Sequence, residues 1–103
     1  MLKIVYYTDP GHGWFAVKTA LLYRLDIEDK ISPYSYTRGK TAYLEEDCDA
    51  EVLFKALKAN SIEYKLEYKH TNKRSPIRSY ERFKTDIVQF FKDHFEIVHI
   101  QGV

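Results

Sequence analysis

A basic segment in the second half of the chain holds the side chains best suited to binding an anion. Residues 65–84 carry seven Lys or Arg against two Glu, whereas the whole chain has a net charge of only +1. Arginine and lysine neutralise phosphate, and arginine grips it through paired hydrogen bonds. We therefore predict a site for nucleic acid or a small nucleotide, with a solvated loop or a contact to an acidic protein as alternatives. The residues of the predicted site are Lys73, Arg74, Arg78 and Arg82.

A second candidate lies in residues 9–14, Asp-Pro-Gly-His-Gly-Trp, between a predicted strand and a predicted helix. Backbone N–H groups exposed at such a junction can receive a phosphate or a carboxylate. His12 can supply a proton or a hydrogen bond, and Trp14 can stack on a base. The glycine spacing matches neither the dinucleotide-binding pattern nor a P-loop. The alternative is a plain tight turn with Trp14 in the core.

Residues 45–49 combine acidic side chains with the cysteine of this chain. Acidic residues at the start of a helix stabilise its dipole and cap its N–H groups, and their spacing here differs from an EF-hand loop. The acidic side chains, Glu45, Glu46, Asp47 and Asp49, could bind a divalent cation with His12 or another residue, but capping is a sufficient reason for them. We therefore predict no metal site and no cofactor. Neighbouring carboxylates disfavour the Cys48 thiolate, and no nucleophile–base pair is evident, so no catalytic residue is assigned. A non-enzymatic protein is expected.

The hydrophobic pattern predicts an α+β fold. In chain order it gives a strand at 2–8, a helix at 14–25, a hairpin with strands at 34–37 and 41–45, a helix at 49–59 and a strand at 62–69. The order β-α-β-β-α-β is the ferredoxin-like split arrangement, an antiparallel sheet with two helices on one face. We expect the strand at 62–69 to pair antiparallel with the strand at 2–8 or with the hairpin.

A third helix is predicted over 79–94, with Ser79 as its cap, and a short strand over 97–100. The helix carries an aromatic and aliphatic stripe that water disfavours, because each such side chain gains about 1.5–3 kcal/mol on burial. It should contact the body of the domain or a second copy of the chain, which would make a homo-oligomer. The stripe consists of Phe83, Ile87, Phe90 and Phe91.

The length of 103 residues, 45% of them hydrophobic, fits a single domain spanning 1–103. No apolar run approaches the roughly 20 residues of a membrane span, and the N-terminus lacks the features of a signal peptide. Cys48 is the one cysteine, which excludes an internal disulfide and a multi-cysteine zinc site. A reducing cytoplasm is the expected setting, without a membrane partner.

Several short motifs resemble a group of small proteins encoded by bacteriophages and mobile elements, over roughly residues 3–82. The motifs are Gly11-His12-Gly13-Trp14, Tyr34-Ser35-Tyr36, Tyr43-Leu44-Glu45-Glu46-Asp47-Cys48-Asp49-Ala50, His70-Thr71-Asn72 and Ser75-Pro76-Ile77-Arg78. The resemblance implies the cytoplasm of a bacterial host, and it transfers no catalytic residue.

The first functional hypothesis is a non-enzymatic phage or mobile-element protein that binds a phosphate-bearing ligand, either nucleic acid or a nucleotide. A counter-defence protein that sequesters a nucleotide is one form of it. The alternative is an inhibitor or adaptor that binds a host defence protein through the basic segment or the C-terminal helix.

Overall fold

The computed structural model describes residues 1–84 of the chain. In order, its helices and strands are β1 (Leu2–Thr8), β2 (Gly13–Lys18), α1 (Thr19–Arg24), β3 (Tyr36–Arg38), β4 (Thr41–Glu45), α2 (Ala50–Ala59), β5 (Tyr64–His70) and β6 (Glu81–Arg82). The strands form one mixed sheet in the order β5-β1-β2-β4-β3-β6. The predicted α+β class is confirmed. The strands expected at 2–8, 34–37, 41–45 and 62–69 and the helix at 49–59 are present, with ends shifted by at most two residues.

The helix predicted over 14–25 is wrong in its first half, where Gly13–Lys18 forms a strand. This strand lies inside the sheet, paired antiparallel with β1 on one side and with β4 on the other. Trp14 and Val17 point to opposite faces of the sheet and are both buried. A strand covered on both faces shows no regular polar alternation, and its apolar residues can fall at helical spacing by coincidence.

The direction of β5 also differs from the prediction. It pairs with β1, as one of the two expected partners, but runs parallel to it over the whole strand, from Leu2 opposite Tyr64 to Thr8 opposite His70. The ferredoxin-like topology is therefore not confirmed, because β5 is parallel to β1 and because β2 intervenes between β1 and the first helix.

The core lies between the sheet and the two helices. Ile4 of β1 and Val17 of β2 share one face of the sheet and pack against Leu22 of α1 and Leu53 of α2. Each of these side chains is at most 4% exposed, and burial of each contributes about 1.5–3 kcal/mol. Among the described residues, no helix is long and apolar enough to cross a membrane.

The described start of the predicted third helix is not helical. Pro76–Ser79 is a single 3-10 turn and Glu81–Arg82 is strand β6, which pairs with β3. Ser79 therefore caps no helix beginning at 79, because the chain returns to the sheet edge within two residues. Phe83 is buried in the core, as expected. The predictions for 85–94 and 97–100, including Ile87, Phe90 and Phe91, lie outside the described residues.

Candidate functional site

A cleft of about 400 Å³ lies beside the turn that joins β1 to β2. Its volume falls in the range of ligand pockets for small molecules, about 300–1,000 Å³. Aromatic side chains, cationic side chains and carboxylates all contribute to its walls. The lining residues are His12, Trp14, Tyr34, Tyr36, Glu45, Asp47, Cys48, Arg78 and Arg82.

The Asp9 carboxylate organises one wall of this cleft. It is almost fully buried and accepts hydrogen bonds from the backbone N–H groups of Gly11 and His12 at 3.0 Å and of Ser75 at 2.9 Å. Arg78 donates to both carboxylate oxygens, through Nε at 2.7 Å and a terminal nitrogen at 2.9 Å. Arg78 and these N–H groups hold the pKa of Asp9 well below its usual range. Asp9 thus ties the 9–12 turn to the segment that begins at Ser75.

The contact with Asp9 changes what Arg78 can do for a ligand. Two of its three guanidinium nitrogens are occupied by Asp9, whose charge compensates its own. The guanidinium carbon lies 5.6 Å from the centre of the Trp14 ring, so the group stacks on one wall of the cleft. A Cβ atom at Gly11 would lie 2.8 Å from a terminal nitrogen of this guanidinium, so a side chain there would displace the end of Arg78. The main role of Arg78 is therefore structural, through its contacts with Asp9 and Trp14.

Glu45 also lines the cleft, and we call its carboxylate the cleft floor. Its Oε2 accepts from the N–H groups of Asp47 at 2.9 Å and Cys48 at 2.8 Å, and its own N–H donates to Ser35 Oγ at 2.9 Å. Its Oε1 is buried without a hydrogen-bond partner among the described residues. The imidazole of His12 lies nearby, with its Nδ1 3.6 Å from Oε1. The carboxylate also raises the pKa of the Cys48 thiol.

Trp14 supplies a second unpaired polar atom. Its side chain is buried, and its indole Nε1–H has no hydrogen-bond acceptor among the described residues. His12 and Tyr36 lie against it, with ring centroids 6.1 Å and 6.4 Å away. A buried donor without a partner costs about 1–3 kcal/mol. Two residues that line the cleft thus each hold one unsatisfied polar atom, a donor on Trp14 and an acceptor on Glu45.

The structure brings four of the six predicted site residues together, and His12, Trp14, Arg78 and Arg82 all line the cleft. Lys73 and Arg74 are exposed in the preceding loop and are not among the lining residues. The sequence interpretation considered Glu45 and Asp47 only as cation ligands with His12 and assigned them no site, because helix capping explained the acidic run. Asp49 makes no capping hydrogen bond from its side chain, and binds Ser32 and Ser35 instead.

A second concavity of about 290 Å³ lies near Tyr7, Tyr43 and Tyr80. The Tyr43 ring contacts the other two. Its centroid lies 6.1 Å from that of Tyr7 and 5.2 Å from that of Tyr80. Lys69 lies 5.9 Å from the Tyr7 ring centre. Neither Trp14 nor Glu45 borders this concavity, and we therefore regard the first cleft as the candidate site.

Comparisons with known proteins return no match for this chain, neither to a family model nor to a curated protein nor to a solved structure.

Gly13, the first residue of β2, lies so close to the Tyr6 ring that no side chain fits between them. A Cβ atom there would lie 2.7 Å from Tyr6 Cε1 and 2.9 Å from Glu46 Oε2, and so would displace the hydrogen bond that Tyr6 donates to Glu46. That bond raises the pKa of Tyr6 to about 12. We expect Gly13→Ala to lower the free energy of unfolding by about 1–3 kcal/mol, measured by urea denaturation. In a Tyr6→Phe background the loss should be smaller. An equal loss in both backgrounds would exclude the Tyr6–Glu46 hydrogen bond as the cause, because phenylalanine lacks the hydroxyl but keeps Cε1.

Proposed function

We propose that this protein is a non-enzymatic binding protein for a nucleotide, held in the cleft between Arg82, Trp14 and Glu45. The observation that carries the proposal is a pair of unsatisfied buried polar atoms, Trp14 Nε1–H and Glu45 Oε1, on two residues that line the same cleft. A ligand that offers an acceptor to the first and a donor to the second recovers the free energy that each unpaired group costs. Nucleotides carry both, on the phosphates and on the amino or imino groups of the base.

Arg82 is the phosphate-binding residue of the proposal. Its side chain is exposed, and its guanidinium lies 4.9 Å from the Tyr36 ring centre. Within residues 1–84 its side chain makes one hydrogen bond, a 3.3 Å contact to the Pro33 carbonyl. The remaining N–H groups of the guanidinium have no partner among residues 1–84 and can form paired bonds to a phosphate. Tyr34 is 65% exposed and offers a ring face on which a base can stack.

The geometry favours a single nucleotide over a nucleic-acid strand. A strand needs a row of cations along its backbone, but Lys73 and Arg74 lie outside the cleft and Arg78 is compensated by Asp9. The finer expectations of a phage origin and of sequestration in counter-defence fit a small protein that binds a nucleotide without catalytic groups, and they remain part of the proposal.

A protein partner is the second candidate, as an inhibitor or adaptor. Strand β5 lies at the edge of the sheet, where Leu66 is 49% and Tyr68 63% exposed. Exposed apolar side chains on an edge strand are typical of surfaces that add a strand from another protein. This surface differs from the basic segment and C-terminal helix first considered for such a partner.

Isothermal titration of the protein with the common nucleoside mono- and triphosphates tests the nucleotide proposal. We expect one nucleotide per chain, and Arg82→Ala should weaken binding about tenfold or more, because a charged hydrogen bond contributes about 1.5–3 kcal/mol. Arg74→Ala is the matched control, with the same charge change eight residues away and outside the cleft. It should change the dissociation constant less than about twofold.

Two outcomes would contradict the proposal. An equal loss of affinity in Arg74→Ala and Arg82→Ala would mean that the nucleotide senses the general charge of the basic segment. No heat with any nucleotide would remove the first candidate and leave the protein partner.

A further inference from the structure

We propose that His12, Glu45 and Asp47 form a binding site for a divalent transition-metal ion in the floor of the cleft. This inference goes beyond the proposed function: it assigns Glu45 Oε1 to a metal ion instead of a hydrogen-bond donor of the nucleotide, and it requires no nucleotide. One ligand atom from each of the three side chains lies within 4.8 Å of the others. The three residues come from the β1–β2 turn, the end of β4 and the turn before α2, so the fold assembles what the sequence separates.

Glu45 provides the independent observation that points to a ligand. The residue is 7% exposed, and its Oε1 has no hydrogen-bond partner among the described residues. The second oxygen is fixed by two backbone N–H groups, so the carboxylate cannot turn Oε1 toward another donor without losing them. Burial of an unpaired carboxylate oxygen is costly, and a metal ion satisfies it.

The spacing fits a metal ion better than an ion pair. Two donor atoms each ~2.1 Å from a tetrahedral ion are ~3.4 Å apart, and His12 Nδ1 lies 3.6 Å from Glu45 Oε1. A direct hydrogen bond between these atoms would be ~2.7–2.9 Å long. The Asp47 ligand atom lies within 4.8 Å of the other two. Because Asp47 is exposed, a rotation of its side chain can bring the carboxylate to the ion.

The donor set indicates the class of metal. Imidazole nitrogen suits Zn²⁺ and its first-row neighbours, whereas Mg²⁺ and Ca²⁺ prefer sites made of oxygen alone. One imidazole with two carboxylates is a three-residue set of the kind that leaves a coordination position open. That position would face the cleft, where a water or a phosphate oxygen could occupy it.

The test uses metal alone, with no nucleotide present. Chelator-treated protein is titrated with Zn²⁺ by calorimetry, and with Co²⁺ while the visible absorption is recorded. We expect one tight site per chain, and His12→Ala and Glu45→Gln should each weaken binding about tenfold or more. Glu45→Gln keeps an oxygen for the two N–H groups and loses the coordinating one. His70→Ala is the matched control, since His70 is an exposed histidine outside the cluster, and it should change the affinity less than twofold.

Zn²⁺ binding that His12→Ala leaves unchanged, or no saturable binding by the wild-type protein, would overturn the inference. His12 is about half exposed, so its replacement should leave the fold intact, as circular dichroism can verify. Metal binding without nucleotide binding would reject the proposed function alone. Nucleotide binding without metal binding would reject this inference alone.

Discussion

Replacement of Asp9 by asparagine is expected to lower the free energy of unfolding by about 2–4 kcal/mol, measured by urea denaturation near pH 7. The carboxylate accepts three backbone N–H bonds and a two-nitrogen contact from Arg78. Asparagine has the same shape but lacks the charge and one acceptor oxygen. Removal of one partner from a buried pair costs about 3–5 kcal/mol, and the partial exposure of Arg78 reduces that figure.

The effect of Asp9→Asn should depend on pH with a defined sign. The folded-state pKa of Asp9 lies below its usual value, near 3.9 in unfolded chains. Its contribution to stability is therefore fully present above about pH 5 and is lost as the pH falls below about pH 4. The difference between wild type and Asp9→Asn should stay constant from pH 5 to 8 and shrink in acid.

Glu67→Gln is the matched control, because it removes a carboxylate from the exposed pair between Lys3 and Glu67. Exposed ion pairs contribute about 0–1 kcal/mol. If Asp9→Asn proved no more harmful than this control, Asp9 would not be the residue that holds the 9–12 turn to the segment at Ser75.

Replacement of Asp49 by alanine should lower the free energy of unfolding by about 2–4 kcal/mol. Asp49 is buried, and its carboxylate accepts from the N–H group of Ser32 at 3.0 Å, from the Ser32 hydroxyl at 2.7 Å and from the Ser35 hydroxyl. Alanine would leave these donors unsatisfied in the interior. Because Ser35 Oγ also accepts from the Glu45 N–H, the cleft floor should loosen as well.

Urea denaturation again gives the measurement, with Asp29→Ala as the control. Asp29 is exposed in the 3-10 turn Glu28–Lys30, so its replacement should change the free energy of unfolding by less than about 0.5 kcal/mol. A loss of that small size in Asp49→Ala would contradict a structural role for the carboxylate.

Most of the local structure could be predicted from the sequence, and the errors share a physical origin. The hydrophobic residues of strand β4 and helix α2 follow the period of a strand and of a helix, so the local pattern was sufficient to predict both elements. The segment Gly13–Lys18 is a strand because it pairs with β1 on one side and β4 on the other. Its six residues alone do not indicate that both faces of the strand will be covered. The alternation of β5 indicates a strand but carries no information about its direction relative to β1.

The candidate site was predictable only in part. Residue type alone singled out the His12 turn and the basic segment, and His12, Arg78 and Arg82 line one cleft, but their roles depend on long-range contacts. Asp9 is 69 residues from Arg78, and its contact with that arginine uses two of the five guanidinium N–H donors and compensates the charge. Glu45 looked like a helix-capping residue, and only the fold shows that one of its oxygens is buried and unpaired.

The most direct test of the central claim is the indole signal of Trp14, because the chain contains one tryptophan. A ¹⁵N–¹H correlation spectrum reports the Nε1–H group as a single resonance, which is recorded while a nucleoside triphosphate is added. The proposal predicts a saturable shift of this resonance, with the dissociation constant found by calorimetry, as the buried donor gains an acceptor. An indole resonance that does not move at millimolar nucleotide would contradict it.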